Sequence, residues 1–258
     1  MPIHPTAIVD PSARVAESAD IGPYCIIGPD VEIGARTRLM AHVFTDGPLT
    51  IGEDNTFYPH SSIGAAPQDL KYKGERSRAQ IGDRNLVREF VTIHRGTEGG
   101  GMLTSIGSDV LLQAYAHVAH DCHVGDHAIL SHGSTLGGHV TIGEWAVVGA
   151  WSGVHQFCRV GRHAMIGGYS VVTQDILPYS TTVSQREIKV FGANRIGLER
   201  RGFSNDSIEA LQTVFRILTR SGLNTTQALE RVREEMTPTA EVDEVLTFIA
   251  ASQRGFAK

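Results

Sequence analysis

The feature that most constrains this chain is a six-residue repeat of branched aliphatic residues. Val9, Val15, Ile21, Ile27, Ile33 and Leu39 stand six apart, and the run resumes at Ile51, Phe57 and Ile63 and again at Ile81, Val87 and Ile93. After a polar, glycine-rich break it restarts one residue out of phase. It then continues through Ile106, Leu112, Val118, Val124, Leu130, Leu136, Ile142, Val148, Val154, Val160, Ile166 and Val172. A period of six fits neither the helical repeat of about 3.6 nor the strand repeat of 2, but short strands joined by tight corners satisfy it. Many of the aliphatics are followed by glycine, as in Ile21-Gly22, Ile27-Gly28 and Ile33-Gly34, and glycine is expected to supply left-handed backbone at the corners. The expected fold is therefore a parallel β-helix whose stacked coils bury a ladder of aliphatic side chains.

The fifth residue of each hexad is usually small, as at Ala13, Cys25, Ala116, Cys122, Ser134, Cys158 and Ser170, and should also point inward. All three cysteines occupy this slot. They read as core packing in place of alanine rather than as metal ligands or nucleophiles.

Two segments leave the pattern. Residues 65–80 contain Ala66-Pro67-Gln68-Asp69-Leu70-Lys71-Tyr72-Lys73, and residues 98–105 contain Glu98-Gly99-Gly100-Gly101. Loops thrown from a rigid coil are frequent carriers of function. Past Pro178 the repeat is lost, and from about Asn194 the pattern turns helical. Ser204 suits the cap of a helix with Ile208, Leu211, Phe215 and Leu218 on one face. Thr225 or Thr226 begins another with Leu229 and Val232, and a third follows Pro238 with Val242, Val245, Leu246 and Ile249. The expected organisation is a β-helix over residues 1–190 and a helical domain over 191–258 that caps the open end of the coil.

A net charge of −5 provides no basic field to gather nucleic acid. No apolar stretch approaches the roughly 20 residues of a spanning helix, and Met1-Pro2-Ile3-His4-Pro5 has no signal-peptide pattern, so a cytoplasmic protein without stable membrane insertion is expected.

The repeat turns the spacing of the 12 histidines into geometry. With three hexads per turn, residues 18 apart stack in adjacent coils. The hexads that begin at Val118, Leu136 and Val154 then form one wall. His120, His139 and His155 fall within them, with His117 at the corner just before Val118. Coils about 4.8 Å apart make this group span roughly 10 Å. His123, His127, His132 and His163 fall elsewhere and read as surface or interface residues. Two chemistries fit the column. Three converging imidazoles would bind zinc, as in a carbonic-anhydrase-type hydrolyase. Alternatively, one neutral imidazole would deprotonate a hydroxyl that attacks an acyl carbonyl, with Asp121 orienting His120 and the Gly137-Gly138 pair offering N–H groups to an oxyanion. The glycine pair favours base catalysis, since a zinc site has no need of it.

Five motifs in order then carry a resemblance: Gln68-Asp69-Leu70-Lys71-Tyr72, Val91-Thr92-Ile93-His94-Arg95-Gly96-Thr97, Ala116-His117-Val118-Ala119-His120-Asp121-Cys122, Val154-His155-Gln156-Phe157-Cys158 and Arg200-Arg201-Gly202-Phe203. Together, and essentially end to end, the chain resembles the UDP-N-acetylglucosamine O-acyltransferase family, which opens lipid A synthesis. The resemblance implies a left-handed β-helix, a homotrimer with clefts between subunits, and transfer of a 3-hydroxyacyl chain from acyl carrier protein to UDP-N-acetylglucosamine. No cofactor or metal is implied, because the acyl group arrives as a phosphopantetheine thioester. On the matching positions, the resemblance makes His120 the general base, Asp121 its partner and Gly138 the oxyanion donor. It places Asp69, Lys71, His117 and His139 around the sugar and diphosphate, with His155 beside them. Gln156, Asn194, Arg200 and Arg201 would hold the nucleotide, and the paired arginines suit phosphate by charge and fork geometry. Gly168 would be the acyl-length ruler, about 14 Å along the axis from the Leu112 coil, where a glycine leaves room for a longer chain.

The chain departs from the family pattern at Ser184-Gln185-Arg186-Glu187-Ile188, where relatives read Gly-Asn-Pro-Ala or similar, and at Ile196, where an acidic residue is usual and Glu199 is a candidate substitute. These departures concern the acceptor and keep a 3-amino sugar, hence N-acyl transfer, as an alternative. The related N-acyltransferases carry an extra N-terminal domain, whereas this chain begins in the repeat at Ile3, which favours the O-acyl reading.

Overall fold

The computed structural model describes residues 3–183 and 189–257; the departure at Ser184–Ile188 lies outside them. Among the described residues, the short strands stack into three sheets of nine, eight and ten strands, parallel except for one antiparallel pair at the end. Each coil passes through the nine-stranded sheet (face 1), the eight-stranded sheet (face 2) and the ten-stranded sheet (face 3) in turn. The register confirms three hexads per turn: Val118 pairs with Leu136, Leu136 with Val154 and Val154 with Val172.

The two irregular segments are insertions into this register. Ile51 pairs with Ile81, a step of 30 residues instead of 18, and Ile93 pairs with Val118, a step of 25. The extra 7 residues of the second insertion, one more than a hexad, are the source of the phase shift seen in the sequence.

The first and fifth hexad positions form the core, with Ile27, Phe57, Ile93, Val118, Leu136 and Cys122 all fully buried. The free cysteines fill the expected slot. Burial pushes the Cys122 thiol up to about 12, so it stays protonated and inert.

The role assigned to the glycines needs correction. Left-handed backbone falls on the fourth residue of the hexads, and those residues are mostly not glycine: Tyr24, His42, Asp121 and His139 have φ of 58°, 58°, 58° and 62°. The cost of that conformation is offset by bonds between coils, for instance from the His42 N–H to Pro23 O and from the His139 N–H to His120 O, each 3.0 Å. Ring stacking adds to this: Tyr24, His42, His60, Phe90 and Tyr115 stack in sequence with centroids 4.9–5.0 Å apart. The glycines after the aliphatics serve coil spacing instead. A β-carbon at Gly22 would lie 2.3 Å from Met40 O, and one at Gly34 would lie 2.4 Å from Gly52 O.

After the last coil, strand Ser180–Val183 pairs with Lys189–Ala193, and four helices follow: α1 (Arg195–Arg200), α2 (Asn205–Arg220), α3 (Thr225–Glu235) and α4 (Ala240–Ala250). Ser204 caps α2, and Ile208, Leu211, Phe215 and Leu218 are buried. Asn224 caps α3 in a capping box with Gln227, and Thr239 caps α4, which buries Val242, Val245, Leu246 and Ile249. The C-terminal segment closes the coil through buried Asp175. Its backbone exchanges hydrogen bonds with Gly255 and Ala257, and its carboxylate accepts from Ser252 and pairs with Arg159 at 2.8 Å.

Candidate active site

The site forms where face 1 turns toward face 2. In the strand His117–Val118, Val118 points into the core and His117 points outward; His117 is thus a strand residue, not a corner residue. The chain then turns through Ala119, His120 and Asp121 before Cys122 re-enters the core. Asp121 has no exposed side-chain surface, and His120 keeps a small exposed fraction. The His120 Nδ1–H donates to Asp121 Oδ2 at 2.8 Å. A carboxylate only accepts, so the proton sits on Nδ1 and the outward-facing Nε2 carries the lone pair. That tautomer is the one a base requires.

In the next coil, Gly138 and His139 close on this pair. A β-carbon at Gly138 would lie 2.5 Å from His120 Cε1 and 2.7 Å from Nε2, so only glycine admits the imidazole in this position. The Gly138 N–H has no acceptor among the described residues. The His139 ring meets His120 edge-on at 5.1 Å and lies flat on Phe157 at 4.3 Å. Burial, opposed by the field of Asp121, holds its pKa below the usual imidazole range.

A residue missed by the spacing argument completes the cluster. His94 is buried, its Nδ1 has no partner among the described residues, and it meets His117 edge-on at 5.0 Å. Burial and the neighbouring His117 bring its pKa down to about 4. His117 shares a 2.7 Å hydrogen bond between its Nδ1 and Thr92 Oγ1, and burial lowers its pKa as well. Counting in steps of 18 cannot find His94, because the insertion makes this coil 25 residues long. Its presence in a quoted motif was the only signal in the sequence.

His155 does not join the group. It is exposed one coil further on, its Nδ1–H donating to its neighbour Gln156 O at 3.1 Å, and Gln156 is also exposed. His163 corrects another expectation: it is buried, not at the surface. It lies between the rings of Trp145 and Tyr179 with Phe203 edge-on, and burial helped by Arg162 and Arg201 lowers its pKa to about 4.

The first insertion carries Asp69 and Lys71. Arg95 ties it down, pairing with Asp46 at 2.8 Å and donating to the Tyr72 hydroxyl, while Arg76 reaches Asp30. Asp69 accepts from the Lys71 backbone, and its charge is felt at His139. The Lys71 side chain is exposed and makes no ion pair among the described residues.

The residues expected to hold the nucleotide divide between two corners. Gln156 shares the corner of His120. Asn194, Arg200 and Arg201 gather at the corner between faces 2 and 3. There the Asn194 amide donates to His163 O and its oxygen caps α1. The Arg201 guanidinium donates to Trp145 O and lies 5.1 Å from the Trp145 ring centre, while Arg200 is exposed. Ile196 is exposed, and Glu199 is paired with Arg195. Gly168 lies three coils from Leu112, as expected. It sits at the third corner, between faces 3 and 1, where a β-carbon would meet only Ala150 within 4 Å, its oxygen at 3.2 Å.

The ligating atoms of His120, Asp121 and His139 lie within 4.8 Å of one another, a spacing that would also suit a cation. Both carboxylate oxygens already accept protons, however: Oδ1 from the Thr97 N–H, and Oδ2 from the Thr97 hydroxyl and His120. The arrangement is an imidazole hydrogen-bonded to a buried carboxylate, a neighbouring N–H without an acceptor among the described residues and further histidines whose pKa burial lowers, all on a hexapeptide coil. That arrangement defines an acyl-transferring hexapeptide enzyme.

Comparison with known proteins agrees at both levels. Residues 103–138 match the bacterial transferase hexapeptide model, and residues 175–257 match the model for the second domain of UDP-N-acetylglucosamine O-acyltransferase. The acyl-[acyl-carrier-protein]–UDP-N-acetylglucosamine O-acyltransferases of Stenotrophomonas maltophilia (strain R551-3) and Thermodesulfovibrio yellowstonii are 44% and 43% identical. The matches cover 98% and 99% of this chain and 96% and 99% of theirs. Among solved structures, UDP-N-acetylglucosamine acyltransferases from Bacteroides fragilis and Moraxella catarrhalis superpose with TM-scores of 0.96 and 0.95 at 42% identity. They cover 99% and 100% of this chain and all of their own. The chain belongs to the UDP-N-acetylglucosamine O-acyltransferase family, and its coil is a left-handed parallel β-helix.

Proposed function

We propose that the chain transfers a 3-hydroxyacyl group from acyl carrier protein to the glucosamine 3-hydroxyl of UDP-N-acetylglucosamine, the first step of lipid A synthesis. The observation that carries this reading is the His120 tautomer, fixed by Asp121 with Nε2 facing outward beside Gly138. His120 Nε2 takes the hydroxyl proton as the sugar oxygen attacks the thioester carbonyl, and the resulting oxyanion is met by the Gly138 N–H. Collapse expels the phosphopantetheine thiolate, which takes the proton back from the imidazolium. Asp121 supports the transient positive charge. His117, His139, Asp69 and Lys71 bind the polar groups of the sugar and diphosphate.

The active unit is a homotrimer. One chain holds its base at one corner and Asn194, Arg200 and Arg201 at another, so a cleft between adjacent copies is the arrangement that unites them. Gly168 then bounds the acyl groove from its own corner. The enzyme works in the cytoplasm, where both substrates are soluble; among the described residues no helix is long and apolar enough to cross a membrane.

The test is an assay of transfer from hydroxyacyl carrier protein to UDP-N-acetylglucosamine and to its 3-amino analogue, with wild type and His120→Ala. The expected result is a preference for the hydroxyl acceptor and a loss of roughly 10²- to 10⁴-fold in the variant, with UDP-sugar binding retained. Near-normal turnover in His120→Ala would overturn the mechanism, and a preference for the amino sugar would reassign the acceptor.

A further inference from the structure

The glycine-rich insertion does more than interrupt the repeat. Its first residues fold back onto the carboxylate behind His120. The Thr97 N–H donates to Asp121 Oδ1 at 2.8 Å, and the Thr97 hydroxyl donates to Oδ2 at 2.5 Å, the same oxygen that accepts from His120 Nδ1. Thr97 is buried, and Asp121 has no exposed side-chain surface. The loop continues as a short turn, Glu98–Gly100, whose last residue presses on the same group. A β-carbon at Gly100 would lie 2.0 Å from Asp121 Cγ, and one at Gly96 would lie 2.8 Å from Oδ1. Two glycines are thus required for the loop to close over the carboxylate, and the Asp121 backbone N–H is held from below by Thr104 Oγ1 at 2.8 Å.

We propose that Thr97 is a positioning residue, the third member of a Thr97–Asp121–His120 relay that orients the base and moderates its affinity for a proton. This rests on the reading of His120 as the base. Asp121 Oδ2 divides its acceptor capacity between a hydroxyl and an imidazole N–H. Removing the hydroxyl leaves the oxygen to His120 alone, which strengthens the bond to the imidazolium. The titratable and charged groups around His120 are Asp121 itself, His117 on the strand before it, Cys122 and His123 after it, His94 and Arg95 in the preceding coil, His139 in the following one, and Asp69 beyond His139. A change confined to Thr97 leaves all of them in place.

The test compares full pH profiles of kcat/KM for wild type, Thr97→Val and Thr97→Ser, with UDP-N-acetylglucosamine and a hydroxyacyl carrier protein. Thr97→Val should lower kcat about tenfold while leaving the KM for the UDP-sugar within about twofold. The acidic limb should move upward by at least ~0.5 pH unit, and Thr97→Ser should restore both. A limb that stays in place or moves downward, or a serine variant that behaves like valine, overturns the proposal. Gly100→Ala provides a second route, because it displaces the carboxylate while keeping the Thr97 hydroxyl. It should lose at least as much kcat as Thr97→Val at a thermal midpoint within a few degrees of wild type, and near-normal kcat would count against the relay. His120→Ala separates the two readings. If it is inactive while the Thr97 variants titrate like wild type, only the relay fails; if it is active, the base assignment fails first.

Discussion

The imidazole of His120 rests against the α-carbon of Gly138, so closely that a methyl group there would sit 2.5 Å from Cε1. The proposed base and the N–H proposed for the oxyanion are thus placed by a single contact between two consecutive coils. Coil stacking, not a flexible loop, sets the distance between them.

Gly138→Ala should therefore push the ring aside without unfolding the coil. Displacement of a reacting group by about 1 Å costs on the order of 10²-fold. A loss of that size in kcat/KM, with an unchanged far-ultraviolet circular dichroism spectrum, is expected; an alanine variant of near-normal activity would show that the ring position is not critical.

Gly168→Met tests the acyl groove. An added β-carbon would meet only Ala150, its oxygen at 3.2 Å, a contact that a shift of a few tenths of an ångström relieves, so the variant should still fold. In competition between acyl-carrier donors of different length, the variant should shift toward shorter chains. An unchanged chain profile would remove Gly168 from the groove.

His163 couples stability to pH. Its pKa in the folded protein is about 4, set first by burial and then by Arg162 and Arg201, against about 6.5 when unfolded. Above pH 6.5 neither state is protonated and the residue is neutral in effect. As pH falls from 6.5 to 4 the unfolded chain takes up the proton first, and stability is lost by up to roughly 3 kcal/mol. His163→Phe, which preserves the stacking on Trp145 and Tyr179, should flatten the dependence of the thermal midpoint on pH in this window. Parallel curves for variant and wild type would contradict it.

The sequence by itself determined the coil. A strict six-residue spacing of aliphatics leaves one way to bury them, and it places residues 18 apart on the same face. That was sufficient to bring His117, His120 and His139 together, to set Gly138 beside them and to explain the cysteines. It stops at each place where the register breaks or a side chain chooses its partner. His94 enters the site because one coil holds 25 residues, and His155 leaves it because its ring turns to Gln156. Arg201 is drawn to Trp145, and His163 is buried by rings from three segments. The glycines proved to serve the approach of one coil to the next, while stacked rings and bonds between coils hold non-glycine residues in left-handed corners. Only the tertiary structure decided these matters. Periodicity specifies where a backbone position lies on the coil, whereas the path of an inserted loop and the direction of a side chain depend on the neighbours that packing provides, as Thr97 on Asp121 shows.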